Sequence, residues 1–199
     1  MARLWPVLSG TPEWFGIVAT AGLVTMLVGA VIALFQDDLK GLLAYSTVSH
    51  LGLITMLLGF GTEAAATAAM FHITAHASFK AALFMGAGII DHETHTRSIR
   101  QLGGLRSLMP LTFGLILVAS LSMAGIPPLN GFLSKEMMLE QAASLAGQGV
   151  GWAIGALATL AALASVAYSL RLVAHVFLGP ARDDYPQAPH APGPGLWAG

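Results

Sequence analysis

The stretch FHITAHASFK, residues 71–80, lies inside an apolar run that extends from about Ala64 to Ile90. A run of this length and apolarity is typical of a membrane-spanning helix. It contains three titratable side chains, those of His72, His76 and Lys80. Because residues four apart lie on nearly the same face of an α-helix, we expect the three side chains to form one stripe.

This stripe favours a proton relay. An ionisable side chain within a bilayer is costly and normally faces a protein interior or a water-filled path. The alternative is that His72 and His76 are neutral and bond neighbouring helices. Zinc ligation is a third reading of the two histidines, but the HExxH pattern is absent and the adjacent amine of Lys80 repels a cation, so no metal site is expected.

The composition excludes an ordinary soluble domain. Of the 199 residues, 55% are hydrophobic and only 10% are charged, against about 25% charged in an average soluble protein. With a mean hydropathy of +0.72, this is typical of a multi-pass protein embedded in a lipid bilayer. The net charge of −1 gives no indication of a nucleic-acid partner, and the absence of cysteine excludes disulfides and Fe–S clusters. No nucleotide, flavin or quinone motif is visible, so no cofactor is expected.

Five apolar segments predict an all-α polytopic bundle of five transmembrane helices. The predicted spans are Trp14–Phe35, Leu39–Phe60, Ala64–Ile90, Pro110–Leu145 and Val150–Phe177. The fourth contains GIPPLN, Gly125–Asn130, where two adjacent prolines cannot continue a helix. We therefore expect the fourth helix to be broken, with an unwound linker that lines a cavity or is buried in protein.

The basic residues indicate a topology. Apart from Lys80 and Lys135 within the apolar segments, all basic residues but Arg3 would lie on one side: Lys40, Arg97, Arg100, Arg106, Arg171 and Arg182. The positive-inside rule makes that side cytoplasmic and leaves the N-terminus outside. The chain then divides into an N-terminal extracytoplasmic segment, residues 1–13, a transmembrane region, 14–178, and a proline-rich cytoplasmic tail, 179–199. The N-terminus does not predict a cleaved signal peptide. The loop at 91–106 is predicted to be extramembrane, with a possible short helix and solvated His92 and His95.

Four further residues are candidates for proton transfer. Lys135 lies in the second half of the broken helix with Glu136 beside it, so an amine and a carboxylate could pair there; the alternative is a lysine that extends to the interface. Lys40 is either an interfacial anchor or the entry to the relay from the cytoplasmic side. His50, deeper in the second helix, is either a relay member or a packing residue, and the sequence does not separate these.

Three motifs resemble one known family. They are DLKGLLAYSTVSHLG at 38–52, FHITAHASFKAALF at 71–84 and PPLNGFLSKE at 127–136. In this order they resemble the proton-conducting antiporter-like family, which includes large subunits of Mrp-type cation/proton antiporters and antiporter-like subunits of respiratory complex I. The stretches at 88–94, 130–136 and 177–182 resemble the A subunit of Mrp antiporters more than complex I. The resemblance extends from about Phe15 to Arg182.

The resemblance implies roles for the candidate residues. Lys135 is similar to the family's broken-helix lysine, which passes a proton outward, and Glu136 stands where relatives carry an acidic neighbour. Lys80, His72 and His76 are similar to the central relay. Lys40 is similar to the lysine of the preceding helix.

The resemblance also implies an assembly. The five segments correspond to the second of two inverted five-helix repeats, in a bacterial cytoplasmic membrane, beside other subunits of an antiporter complex that exchanges protons for Na⁺ or another cation. Because relatives carry a first repeat upstream and the A subunit of Mrp antiporters continues further, we expect this chain to be a fragment or the product of a split gene. The alternatives are a redox-driven pump component of complex I type, and a scaffold that assists assembly without transporting.

Overall fold

The computed structural model describes residues 1–145, 151–180 and 185. Over these residues the protein is built from helices, as predicted. The described part of the chain forms seven helices: α1 (Trp5–Leu8), α2 (Pro12–Phe35), α3 (Leu39–Gly59), α4 (Glu63–Thr94), α5 (Pro110–Ala124), α6 (Asn130–Ser144) and α7 (Gly151–Leu178). Four of these, α2, α3, α4 and α7, are long and apolar enough to cross a membrane.

The first two long helices form an antiparallel pair. α2 begins at Pro12, two residues before the predicted span. Pro12 occupies its first turn, and the Thr11 hydroxyl accepts a hydrogen bond from the backbone N–H of Trp14 at 3.3 Å. Its partner α3 is held against it by the Ser49 hydroxyl, which donates to the carbonyl of Met26 at 2.8 Å. Such a bond fixes the rotation of α3 and therefore the face that it turns to the bundle interior.

α4 is longer than the sequence predicts. It continues to Thr94, so residues 91–94 belong to the helix and not to the loop, and the predicted boundary was wrong. The Thr94 hydroxyl donates to the carbonyl of Ile90 at 2.7 Å and both side chains are buried, which stabilises this last turn. The chain leaves the helix at His95 with a φ of 52°. The described loop from 95 to 109 contains turns but not the predicted short helix.

The predicted break in the fourth helix is confirmed. α5 and α6 have 15 residues each, or about 22 Å of helix, which is too short to cross a bilayer alone. Gly125 ends α5 with a φ of 85°, and its N–H bonds the carbonyls of Leu121 and Ser122 at 3.0 Å. The N–H of Ile126 reaches the same Leu121 carbonyl at 3.0 Å. This is the glycine-terminated helix end expected where a chain must stop sharply.

One end of the bundle holds four of the six basic residues that were predicted to share one side: Lys40, Arg97, Arg100 and Arg171. We call the following set the end cluster: Asp37, Asp38, Lys40, Asp91, Arg97, Arg100 and Arg171. Arg171 contacts Asp37 at 2.6 Å and also donates to the carbonyls of Leu34 and Gln36 at 2.7 Å, so it caps the end of α2. The Arg100 hydrogen bond to Asp37 is the largest of several influences that hold the pKa of that carboxyl below its ordinary value. Arg106 is exposed nearby in the chain.

Part of the predicted organisation lies outside the described residues. This applies to Val150, at the predicted start of the last span, to Arg182 and to most of the tail at 179–199. Within the tail Tyr185 is described, and its hydroxyl donates to the carbonyl of Gly103 at 2.6 Å.

Candidate functional site

A set of buried polar side chains lies in the centre of the bundle. α3, α4, α6 and α7 each contribute two of them, and the broken helix supplies its members from the first turns of its second half. We call this set the polar core: Ser46, His50, His72, Lys80, Ser134, Lys135, Ser165 and Tyr168. Buried polar groups are costly unless they bond one another, so their contacts determine what the core can do.

Two imidazoles and a hydroxyl form a continuous hydrogen-bonded chain. His50 Nδ1 lies 2.9 Å from His72 Nε2, and His72 Nδ1 lies 2.9 Å from the Ser134 hydroxyl. That hydroxyl gives its single hydrogen to the carbonyl of Gly131 at 3.0 Å, so it accepts from His72 Nδ1–H. The hydrogen-bond network therefore assigns both neutral rings the Nδ1–H tautomer, with the Nε2 of His50 free to accept.

His76 contacts this chain without joining it. Its ring centroid is 5.2 Å from that of His50 and 6.2 Å from that of His72. Its Nε2 is buried and has no hydrogen-bond partner among the described residues. The predicted stripe of His72, His76 and Lys80 thus turns toward the bundle interior, but its three members do not bond one another directly.

Lys80 is held by α3. Its amine donates to the carbonyl of Leu43 at 3.0 Å and to the hydroxyl of Ser46. Its exposed fraction is 5%. Among the described residues no carboxylate lies within ion-pair distance of it. Ser46 lies one helical turn before His50, so both project from α3 on the same face.

The broken helix creates the environment of Lys135. Its amine donates to the carbonyls of Met123 at 2.8 Å and Ala124 at 3.0 Å, and to the hydroxyl of Ser165 at 2.8 Å. These three acceptors match the three hydrogens of an ammonium group. The two carbonyls have no intrahelical partner because α5 stops at Ala124, and the negative end of a helix dipole favours a cation.

A close approach between the end of α5 and the start of α6 sets the orientation of Lys135. A Cβ on Gly131 would lie 1.8 Å from the carbonyl oxygen of Ser122, so only glycine fits there. The Ser122 hydroxyl donates to the Asn130 side chain at 2.6 Å and accepts from the Gly131 N–H at 3.3 Å. The start of α6 is therefore fixed against the end of α5, which directs Lys135 back to the free carbonyls.

Two predicted site residues lie apart from the polar core. Lys40 is paired with Asp91 at 2.7 Å in the end cluster. Asp91 lies eleven residues beyond Lys80 on α4, which is about 16 Å along the helix axis. Glu136 is exposed and forms no ion pair with Lys135 among the described contacts, because adjacent residues on a helix point in different directions. It lines a cleft of about 580 Å³ between α6 and α7 that Glu140 also borders.

Half of the polar core was not predicted as part of a site. Ser46 carries a weak signal, since hydroxyls in a membrane helix often bond across helices. Ser134 adjoins Lys135 in sequence but has no signal of its own. Ser165 and Tyr168 lie in a largely apolar helix, and their spacing of three residues, which places them on one face, is the feature that marks them.

The fold and the core define a class of protein: a membrane helix bundle with a broken helix and buried lysines and histidines. The family described as "NADH:quinone oxidoreductase/Mrp antiporter, TM" matches residues 1–162. Because that match covers most of the sequence, the chain belongs to this family.

Two curated relatives share about half of their aligned residues with this chain. The A/B subunit of a probable K(+)/H(+) antiporter of Rhizobium meliloti (strain 1021) is 55% identical over 96% of this chain and 19% of its own length. The A subunit of a Na(+)/H(+) antiporter of Alkalihalophilus pseudofirmus is 54% identical over 69% of this chain, again 19% of its own length. This chain therefore spans about a fifth of the length of these relatives.

Two solved structures share the fold. The Mrp complex from Dietzia sp. DQ12-45-1b is 45% identical, with a TM-score of 0.80 over 86% of this chain and 19% of that one. Respiratory complex I from Thermus thermophilus is 27% identical, with a TM-score of 0.81 over 94% of this chain and 38% of that one. The resemblance predicted from the three motifs is thus confirmed.

Proposed function

We propose that residues 14–178 form the second five-helix repeat of a larger antiporter polypeptide and conduct protons through the membrane in exchange for a cation. One observation carries the proposal: two buried amines lie on either side of a hydrogen-bonded pair of imidazoles, and neither amine has a described carboxylate partner. An amine that is held only by neutral oxygens can release and rebind a proton without breaking an ion pair. The antiporter names of the two curated relatives support the same function.

Each group has a role in this path. Lys80 exchanges a proton with His76 and the imidazole pair, and Lys135 passes it outward past Glu136. His50 and His72 carry it between the two amines, since each ring can accept at one nitrogen while donating from the other. Lys40, paired with Asp91, is the proposed entry from the cytoplasmic side, and a proton must cross the intervening 16 Å or so of α4 through water.

The proposal includes a place and partners. The chain lies in a bacterial cytoplasmic membrane with segment 1–13 outside and tail 179–199 in the cytoplasm, which puts the end cluster on the cytoplasmic face. It works with the other subunits of a multisubunit complex, as a part of a longer transporter polypeptide rather than as an enzyme. Na⁺ or K⁺ is the exchanged cation, in keeping with the names of the relatives.

A redox-driven pump component of complex I type is the second candidate. The TM-score of 0.81 to the complex I chain favours it. The identity of 45% to the Mrp complex, against 27% to complex I, favours the antiporter. A measurement of cation-dependent proton exchange in membranes without any respiratory substrate distinguishes the antiporter from the redox-driven pump, because the pump would transport no protons under these conditions.

Substitution of the two amines tests the relay. In the complete membrane complex, Lys80→Ala or Lys135→Ala should reduce the cation-dependent ΔpH of everted vesicles at least about tenfold, since each removes a proton carrier. Arg106→Ala, which removes an exposed cation outside the membrane, is the matched control and should transport normally. Normal exchange in both lysine variants, at normal amounts of the complex, would leave only the scaffold function.

A further inference from the structure

The described hydrogen bonds of Lys135 do not connect its amine to the imidazole pair of His50 and His72. The chain from His50 through His72 ends at Ser134, whose hydrogen goes to the carbonyl of Gly131. Although Ser134 precedes Lys135 in sequence, the two side chains share no described hydrogen bond, because adjacent residues on a helix diverge. Apart from the two backbone carbonyls, the described bonds connect the amine to α7, through Ser165.

A small cavity lies at this point between α2, α3, α6 and α7. Its volume is about 10 Å³, which accommodates about one water molecule. A buried water needs two to four polar partners, and five polar side chains line the cavity: Ser49, His50, Lys135, Ser165 and Tyr168. The hydrogens of Ser49, Ser165 and Lys135 are already given to other acceptors. At rest, a water in this cavity can therefore donate to the Ser165 oxygen and bond the Tyr168 hydroxyl and His50 Nε2.

We propose that this cavity binds one water molecule, and that the water, Ser165 and Tyr168 connect Lys135 to His50. This bridge through α7 rests on the proposed proton-conducting function and deepens it. It makes Ser165 and Tyr168 relay residues in their own right, and it connects Lys135 to the imidazole pair without passing through Ser134.

The distances support a bridge at both ends. The Lys135 amine lies 2.8 Å from the Ser165 hydroxyl. The Tyr168 hydroxyl lies 3.4 Å from His50 Nε2, which is long for a direct hydrogen bond. That nitrogen is the one the tautomer assignment leaves free to accept. Ser165 and Tyr168 are three residues apart on α7, so both face the same cavity.

The hydrogens balance along this route. At rest the Ser165 hydroxyl accepts from Lys135 and donates to the carbonyl of Met123 at 3.1 Å. Rotation of this hydroxyl toward the cavity lets its oxygen take a proton from the ammonium and pass its own hydrogen to the water. The water then protonates the Tyr168 oxygen as that hydroxyl gives its hydrogen to His50 Nε2. The net result is a neutral amine and an imidazolium, and no other reactant is needed.

Removal of single hydroxyls tests the bridge in the complete complex. Ser165→Ala and Tyr168→Phe should each lower cation-dependent proton exchange in everted vesicles at least about tenfold. Ser165→Thr keeps a hydroxyl at this position and should therefore retain most of the exchange rate. If Ser165 had only a steric role, a hydroxyl would not be needed for this rate. Ser169→Ala is the matched control, because it removes a buried hydroxyl one turn further along α7 that donates only to the carbonyl of Ser165.

Filling the cavity tests the water itself. Ala161→Val leaves every polar group in place but occupies the space that Ala161 lines. In a high-resolution cryo-EM map of the wild-type complex, we expect density for one water beside Ser165 and Tyr168. In the Ala161→Val complex we expect this density to be absent and cation-dependent exchange to be reduced.

The outcomes separate this inference from the proposed function. Wild-type exchange in Ser165→Ala and Tyr168→Phe, with exchange lost in Lys135→Ala, overturns the bridge and leaves the relay in place. Wild-type exchange in all three overturns the relay as well. A wild-type map that shows the cavity empty overturns the water site.

Discussion

The end cluster and the polar core are both rich in ionisable side chains, but they differ in what faces each cation. In the end cluster every basic side chain contacts a carboxylate: Lys40 meets Asp91, Arg97 meets Asp38, and both Arg100 and Arg171 meet Asp37. In the polar core, Lys80 and Lys135 contact hydroxyl and carbonyl oxygens.

This difference indicates two uses of charge. A carboxylate beside a cation favours the charged form and keeps both groups ionised, which suits a cluster that ties the end of α2 to α7 and to the loop after α4. Neutral acceptors tolerate both forms of an amine, because a hydroxyl can turn to donate where it had accepted. The end cluster is thus suited to stabilising the folded bundle, whereas the polar core is suited to proton transfer.

The largest expected effect comes from giving the core a carboxylate. Ser46→Asp would place an acid against the Lys80 amine, and the resulting ion pair should hold the proton on that lysine. We expect a loss of cation-dependent exchange of about tenfold or more in everted vesicles of the complete complex.

Ser46→Asn is the matched control for this prediction. It has nearly the same size as aspartate but no charge, so it should reduce exchange clearly less than Ser46→Asp. An equal loss of exchange in both variants would show that the size of the side chain, and not its charge, is responsible. It would then contradict the proposal that Lys80 requires neutral partners.

Removing the central cation of the end cluster should affect stability more than transport. Arg171→Ala leaves the carbonyls of Leu34 and Gln36 and the Asp37 carboxylate without this partner. We expect Tm of the purified complex to fall by about 2 to 6 °C, with exchange per folded complex retained. Arg106→Ala, an exposed arginine, should change Tm by less than about 1 °C. Loss of exchange without loss of stability would assign Arg171 to the transport path.

A smaller effect is expected from the pH dependence of the end cluster. The hydrogen bond from Arg100 is the main cause that lowers the pKa of Asp37 from its ordinary value of 3.8; burial opposes it and Arg171 adds to it. A carboxyl with a lowered pKa stabilises the folded state above its unfolded pKa, and this stabilisation is lost as the pH falls through the folded value. The Tm difference between wild type and Asp37→Asn should therefore be greatest above about pH 5 and shrink below 3.8. A difference that grows on acidification contradicts this assignment.

The smallest expected effect on stability concerns Lys40. Its pair with Asp91 is part-exposed, and such pairs contribute about 1 kcal/mol or less. A double-mutant cycle of Lys40→Ala and Asp91→Ala, followed by thermal unfolding, should give a coupling energy within that range. The same variants decide the role of Lys40: a large loss of exchange would join it to the relay, and normal exchange would make it an interfacial anchor.

The elements that could be predicted from the sequence are those governed by local physics. The apolar spans follow from length and composition, the break follows from two prolines that cannot continue a helix, and the stripe of His72, His76 and Lys80 follows from helical periodicity. The predicted end of α4 was wrong by four residues, because the burial of Ile90 and Thr94 that stabilises its last turn is a tertiary property.

Most of the contacts within the candidate site could not be predicted in this way. The bond from Lys135 to Ser165 joins residues 30 apart in sequence, and the contact of Tyr168 with His50 joins residues 118 apart. No periodicity connects such positions, since their distance depends on how four helices rotate and pack.

The sequence is enough to establish a membrane helix bundle with a broken helix and several ionisable groups at membrane depth, because periodicity and proline chemistry act within a few residues. Which oxygens face each amine depends instead on the packing of the helices. Packing paired Lys40 with Asp91, gave Lys135 the free carbonyls of α5, and brought Ser165 and Tyr168 to the cavity beside His50. The physical reason is that a proton moves over distances of about 3 Å, and only tertiary contacts set distances between helices on that scale.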